Sequence, residues 1–197
     1  MAKKSNHTFV NQNFINENFK DLVKIRSFIS KCRFKNCDFS FASFKEAKIF
    51  ESEFENCKFY KTHFDASGFK DVKIINCDLD GTFFSSTNFL DVTFSKCPTD
   101  NTKLRGTYFK NSKIENFDIT NSDLNRSIFE NCEFNEMTFD KCKMFMFMCV
   151  KTSLNNVLFK NSNLTLSKFI SCEKKNAIFS DNNKMLCMLE KDSKKSL

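Results

Sequence analysis

The sequence predicts a repeat solenoid, and two observations carry the prediction. Every fifth residue from Phe9 to Leu189 falls in one unbroken register, and 33 of these 37 positions are Phe, Leu, Ile, Met or Cys; the exceptions are Lys24, Thr99, Lys174 and Lys184. Two residues before each lies a second slot, in which 29 of 37 positions are Cys, Ser, Thr, Ala or Val. A period of five is neither the 3.6 of a helix nor the 2 of a flat strand, so it reports a repeat architecture. A bulky residue alternating with a small one, with polar residues between, places both slots inside.

The unit is legible in Cys37-Asp38-Phe39-Ser40-Phe41 and Cys77-Asp78-Leu79-Asp80-Gly81. It resembles the pentapeptide-repeat family, whose unit is a small residue, Asp or Asn, Leu or Phe, a polar residue, then often Gly. The resemblance covers about residues 5–189 and departs from the family in having few glycines at the fifth place and Phe in excess of Leu at the centre. It implies an all-β fold, a right-handed, four-sided parallel β-helix with one pentapeptide per side and about nine coils. Residues 1–189 then form one domain, overlapped by a C-terminal cap over 180–197.

Twenty-residue columns support four sides without the resemblance. Asn recurs at positions 16, 36, 56, 76, 116, 156 and 176, and Cys at 37, 57, 77 and 97. Stacked amides can hydrogen-bond from coil to coil. At roughly 4.8 Å per coil the rod is on the order of 45 Å long. Phe69, Phe89, Phe109 and Phe129 form one interior file in which rings can stack with an offset. Burial of the rings supplies the main stabilising term, at about 25 cal/mol per Å² of apolar surface.

Composition adds exclusions. One Pro, three Gly and no Trp in 197 residues leave no flexible linker, and no apolar run approaches the ~20 residues of a membrane span. The N-terminal residues lack an apolar signal segment. Nine of the ten cysteines occupy the small inward slot and Cys149 a central one, which assigns them as small packed hydrophobes. Parallel thiols one coil apart suit neither a disulfide nor tetrahedral zinc. Reduced thiols and no export signal point to the cytoplasm. The two histidines, His7 and His63, are far apart in coil order, and no carboxylate pair, phosphate loop or nucleophile–base spacing stands out. The expectation is a non-enzyme with no catalytic residue, metal or cofactor.

The side centred on Phe19, Phe39, Phe59 and Leu79 carries an acidic stripe, Asp78, Asp80, Asp100, Asp118 and Asp140. Ordinary solvated surface is one reading of it. The other follows from the resemblance, since some family members mimic DNA and protect DNA gyrase and topoisomerase IV from quinolones. The net charge of +7 counts against that reading. The side centred on Phe44, Phe64 and Phe84 is basic, with Lys45, Lys103, Arg105, Arg126 and Lys143. It shows neither interleaved exposed aromatics nor a recognition helix, so direct nucleic-acid binding is not expected.

An apolar patch is the least expected surface feature. Tyr108, Ile128 and Met148 form one outward column, Val150 and Ile170 a second, and Met146, Leu166 and Leu186 a third at the adjoining corner, beside Phe145. A contiguous apolar patch marks an interface or a surface covered by the chain itself. Ser180-Asp181-Asn182-Asn183 followed by Met185, Leu186, Met188 and Leu189 reads as the start of a short capping helix, with a basic tail at Lys191, Lys194 and Lys195. The expected assembly is a homodimer through the C-terminal coils. The expected function is a protein-interaction scaffold, with a DNA-mimicking binder of gyrase or topoisomerase IV as the alternative.

Overall fold

The computed structural model describes residues 8–189. They wind into a parallel β-solenoid of about nine coils, in which each residue pairs with the one twenty positions on: Phe9 with Ile29, Phe54 with Ile74, Phe109 with Phe129. Side I is a ten-stranded sheet of short strands from Thr8–Val10 to Met188–Leu189. Side II starts at Asn13–Ile15 and belongs to an eleven-stranded sheet. Sides III and IV are held largely by single bridges, such as Asp38 to Lys58 and Ser43 to His63.

The corners explain the period of five. Every fifth residue from Asn11 to Leu186 has positive φ, 36 in all, of which only Gly81 and Gly106 are glycine. A left-handed residue costs an L-amino acid roughly 1–2 kcal/mol unless its side chain is short and polar. Thirteen of the 34 non-glycine corners are therefore Asn and four Asp. At the III–IV and IV–I corners a four-residue turn closes with its own hydrogen bond, as from Thr62 N to Phe59 O at 2.9 Å and Ala47 N to Phe44 O at 3.1 Å. The positive φ at its third position is what such a turn requires. The asparagine column also forms the expected amide ladder: Asn36 donates to Asn16 at 3.1 Å, Asn56 to Asn36 at 3.2 Å and Asn76 to Asn56 at 2.7 Å.

Inside, rings stack along each file and meet edge-on between files. Phe34 lies 4.8 Å from Phe54 at an interplanar angle of 5°, whereas Phe34 and Phe39 meet at 71°. Phe89, Phe109 and Phe129 stack at 4.4 and 4.3 Å. The small slot does more than save space. Its hydroxyls and thiols donate to buried carbonyls, as Thr62 does to Phe39 O at 2.7 Å and Cys57 to Phe34 O at 3.4 Å. They also accept from inward N–H groups, as Ser67 does from Ala47 at 3.0 Å. Buried backbone groups need such partners. This is why Cys, Ser and Thr outnumber Ala there.

Midway the cross-section changes. Pro98 has no N–H to continue the side III bridges, and the ladder resumes at Thr99–Asp100. Thr99 fills a central slot with a small residue, and on the next coil Phe117 fills a small slot with a ring stacked 5.7 Å from Phe94. Large and small have exchanged places. With Phe117, Met137 and Val157 in that column, the strands Lys113–Thr120, Glu133–Asp140 and Ser153–Lys160 run continuously around the II–III corner.

The capping helix is not formed in the described residues. Residues 180–189 make another stretch of coil: Asn183 bridges Asn163, Met188–Leu189 joins side I, and Met188 N donates to Ser167 O at 2.9 Å. The spacing of Met185, Leu186, Met188 and Leu189 fits a helix, but Cys187 and Leu189 also fit the inward slots. Pairing with the coil below satisfies the backbone without the cost of nucleating a helix. The remainder of the expected cap, residues 190–197, lies outside the described residues, as does His7.

Two stability outcomes follow. Ala66→Gly, at an exposed corner with φ 57°, should raise the stability measured by urea unfolding by about 1 kcal/mol, whereas Gly81→Ala, whose Cβ would also meet Lys61 Cγ at 3.1 Å, should lower it by about 1–2 kcal/mol. Phe117→Cys should cost about 3 kcal/mol, and adding Thr99→Leu should recover most of it in the same measurement.

Candidate interaction surfaces

Side III carries all five predicted aspartates, four of them around one groove. Asp78, Asp80, Asp100 and Asp118 line a shallow groove with Pro98, Thr99 and Thr120, at the break in the ladder. Asp140 lies one coil beyond Asp118, where it accepts from Asn161 at 2.8 Å and pairs with Lys160 at 3.5 Å. Much of the carboxylate oxygen is already engaged. Asp78 accepts from Asp80 N at 3.0 Å, and Asp80 from Asp100 N at 2.7 Å. Asp100 accepts from Thr120 at 2.8 Å and from Asn121 at 2.7 Å. Asp38 and Asp123 brace their own turns as Asp78 does, through Ser40 N and Asn125 N. The acidic residue before the centre thus has a local reason, an Asx bond to the backbone two positions on. Burial, together with the charges of Asp78 and Asp100, pushes the Asp80 carboxyl up, while donation from Asn121 and Thr120 pushes that of Asp100 down.

Side IV carries the basic residues but is not free of aromatics. His63 and Phe83 stack at 4.1 Å in the column that continues to Lys103, and His63 Nδ1 lies 3.1 Å from Asp65. Position 83 is an outward slot of the twenty-residue count, so this half-exposed ring was readable from the sequence but was missed there. Asp123 stands between Lys103 and Lys143 in the same column and divides the positive charge. At the III–IV corner Phe41 and Tyr60 pack edge to face at 5.4 Å, with Lys61 over the Tyr60 ring at 5.0 Å and Lys20 over Phe41 at 5.6 Å.

The apolar columns lie on side I and its corner with side IV. Tyr108, Ile128 and Met148 are consecutive pairing partners, as are Val150 and Ile170. Met146, Leu166 and Leu186 are corner residues with positive φ, and Met146 and Leu186 are 42% and 75% exposed. Tyr108 donates to Glu130 at 2.5 Å, which pushes its hydroxyl up to about 12 and the Glu130 carboxyl down. The phenol tip is thereby tied within its own side, and the ring remains as apolar surface. The same side continues toward the N-terminus through Leu90, Phe50 and Phe28, the last two 5.6 Å apart. Those residues occupy the outward slots of the earlier coils, but Gly68 and Lys70 separate Phe28 and Phe50 from the patch and Lys110 follows Leu90 in its column, so no contiguous column announces them. Ile178, Met185 and Met188 add exposed apolar area on the last coil.

All ten cysteines are free thiols, nine of them buried. No group of three His, Cys, Asp or Glu side chains among the described residues could hold a metal ion. Burial pushes the Cys132 and Cys142 thiols up to about 12, so at neutral pH they stay protonated. In a thiol titration at pH 8, the native protein should leave Cys132 and Cys142 unmodified and react first at Cys187, while the unfolded chain should react at all ten.

A family model described as a pentapeptide repeat region matches residues 47–124. Among solved structures, the chain is similar to full-length QnrB1, a plasmid-mediated fluoroquinolone resistance protein. The two are 19% identical over 88% of this chain and 87% of that one, with a TM-score of 0.60. A trypsin-treated form of QnrB1 aligns at 19% identity over 86% and 83% of the two chains, with a TM-score of 0.53. HetL, a pentapeptide repeat protein involved in heterocyst differentiation regulation in the cyanobacterium Nostoc sp., is 13% identical over 95% and 90%, with a TM-score of 0.45. At these identities the likeness concerns the fold alone. The comparison with curated proteins gave no match.

Proposed function

We propose that this chain, whose five-residue unit a pentapeptide-repeat model matches over residues 47–124 and whose register runs on to both sides, is a non-catalytic protein-interaction scaffold of the pentapeptide-repeat kind. The observation that carries this reading is the contiguous apolar surface of Tyr108, Ile128, Met148, Val150 and Ile170 on a rigid parallel sheet. Such a surface has no role in holding its own coil, because the opposite face of each strand already fills the core. The occupant proposed is a second copy, met through the C-terminal coils, where Met146 and Leu186 extend the patch around the corner. Ten free cysteines, nine of them buried, suit a reducing compartment and support a cytoplasmic location.

A second reading rests on the groove of Asp78, Asp80, Asp100 and Asp118 and on the fold likeness to QnrB1. In it the acidic side meets the basic surface of a type II topoisomerase and protects it from quinolones. The net charge of +7 and the local backbone role of Asp78 and Asp80 weigh against it.

Light scattering should give twice the chain mass of 23.1 kDa, and Ile128→Lys with Met148→Glu should reduce it to one chain mass. An unchanged mass in the variant would remove the patch from the interface. In a gyrase supercoiling assay with a quinolone, the scaffold reading expects no protection at micromolar protein. Protection that disappears when Asp78, Asp80, Asp100 and Asp118 become Asn would establish the second reading instead.

A further inference from the structure

Two outward aromatic rings stack on each other on the basic side of the rod. His63 and Phe83 are bridge partners on consecutive coils of side IV, with ring centroids 4.1 Å apart and planes 6° from parallel. Neither ring serves the core, which Phe64 and Phe84 fill from the same side. Both are half-buried, and Asp65 lies 3.1 Å from His63 Nδ1. The other outward and corner positions of this side on the Phe83 coil are Gly81, Ser85 and Ser86, so no long side chain flanks the ring. His63 covers one face of Phe83. The other faces the next coil, where the outward residue is Lys103, a flexible chain in place of a third ring.

Beyond that open face the side is positive. Lys103, Arg105, Arg126 and Lys143 follow over the next three coils, with Asp123 as the one carboxylate among them. Elsewhere on the rod such cations are paired, as Arg26 is with Glu46 at 2.7 Å, Lys35 with Glu55 at 3.1 Å and Lys113 with Glu115 at 2.8 Å. These four make no ion pair among the described residues. Arg105, Arg126 and Lys143 are exposed and Lys103 is half-buried. The nearest aspartates of side III lie around the corner and are already engaged, Asp100 by Thr120 and Asn121, Asp140 by Asn161 and Lys160.

We propose that side IV binds a single-stranded nucleic acid, with one base stacked on the open face of Phe83 in continuation of the His63 ring and the neighbouring phosphates laid along Lys103, Arg105, Arg126 and Lys143. Every base has a flat π-face, so a stacking platform joined to a basic track takes a strand without reading its sequence. The track spans three coil spacings, roughly 14 Å, which is more than one nucleotide step. A duplex keeps its bases in its own stack and leaves Phe83 unused. An acidic peptide satisfies the cations but not the ring. The net charge of +7, which opposes the topoisomerase reading, favours this one. The sequence reading sets nucleic-acid binding aside for want of exposed aromatics on this side, and the His63–Phe83 stack supplies them. Tyr60 and Phe41 at the III–IV corner are not part of the platform, because Lys61 and Lys20 already lie over those rings.

Fluorescence anisotropy with a short fluorescein-labelled oligothymidylate tests this on the full-length chain. Binding should saturate at micromolar protein in low salt. Phe83→Ala should weaken strand binding by about tenfold or more, while a duplex of the same length loses nothing by that change. Arg105→Ala with Arg126→Ala should flatten the dependence of log affinity on log salt by roughly 1.4, about 0.7 for each lost phosphate contact. Asp123→Asn joins the two halves of the track and should tighten binding several-fold, whereas Tyr60→Ala should bind as the parent does. If Phe83→Ala fails to fold by circular dichroism, Phe83→Thr removes the ring and keeps a residue suited to a strand. A strand that does not bind, a folded Phe83 variant of parental affinity, or an equal loss of duplex binding would overturn the proposal. So would a polyglutamate peptide that displaces the strand as well as unlabelled oligothymidylate does. Ile128→Lys with Met148→Glu leaves the net charge unchanged and should bind the strand as the parent does, so this inference and the side I interface fail separately.

Discussion

The structure depends on one constraint, a backbone that turns through a left-handed residue at every fifth position. Once those corners are in place, the chain has no freedom to alter side length, and each side can offer only two inward positions. The side-chain chemistry follows from that geometry. The central residue faces its counterparts on neighbouring coils and becomes a stacked ring. The residue two before it lies beside the preceding corner, where inward carbonyl and N–H groups need partners, so it becomes a small residue that can both donate and accept. A corner asparagine serves twice, since its short side chain tolerates positive φ and its amide reaches the next coil.

That division explains what could be read from the chain alone. The interior was legible because Phe at a fixed spacing has one role. The outward columns at Tyr108, Ile128 and Met148 were legible because a count of twenty places any residue on a side. The bonds made by the small slot were not, because Cys57 and Ala42 are equally small and only coordinates show which carbonyl a thiol approaches. The positive φ at Asn36 was hidden behind its amide ladder, which was a sufficient explanation by itself. The Phe117–Thr99 exchange was invisible because each residue alone looks like a lapse in the pattern. The helix expected after Ser180 failed because its apolar spacing also satisfied the five-residue register, and a paired neighbour was already waiting.

The surfaces divide in the same way. Carboxylates at Asp78, Asp80 and Asp100 are partly structural, bound to backbone amides and to neighbouring side chains, so their number overstates the field they project. Side I differs, because its outward apolar residues engage little beyond one another. A solenoid of this kind divides its side chains by direction: the strands' inner faces fill the core, and their outer faces form the surface.

A regular corner also makes the rod modular. An insertion of five residues between two corners would preserve every inward slot downstream, yet turn all later surfaces by a quarter revolution. Side I residues such as Tyr108 would then share a side with Asn13 and Arg33 instead of Phe28. Only a change of twenty residues leaves the faces aligned. Variation in length is therefore tolerated by the core and filtered by recognition, and relatives with the same interior can present unrelated exteriors.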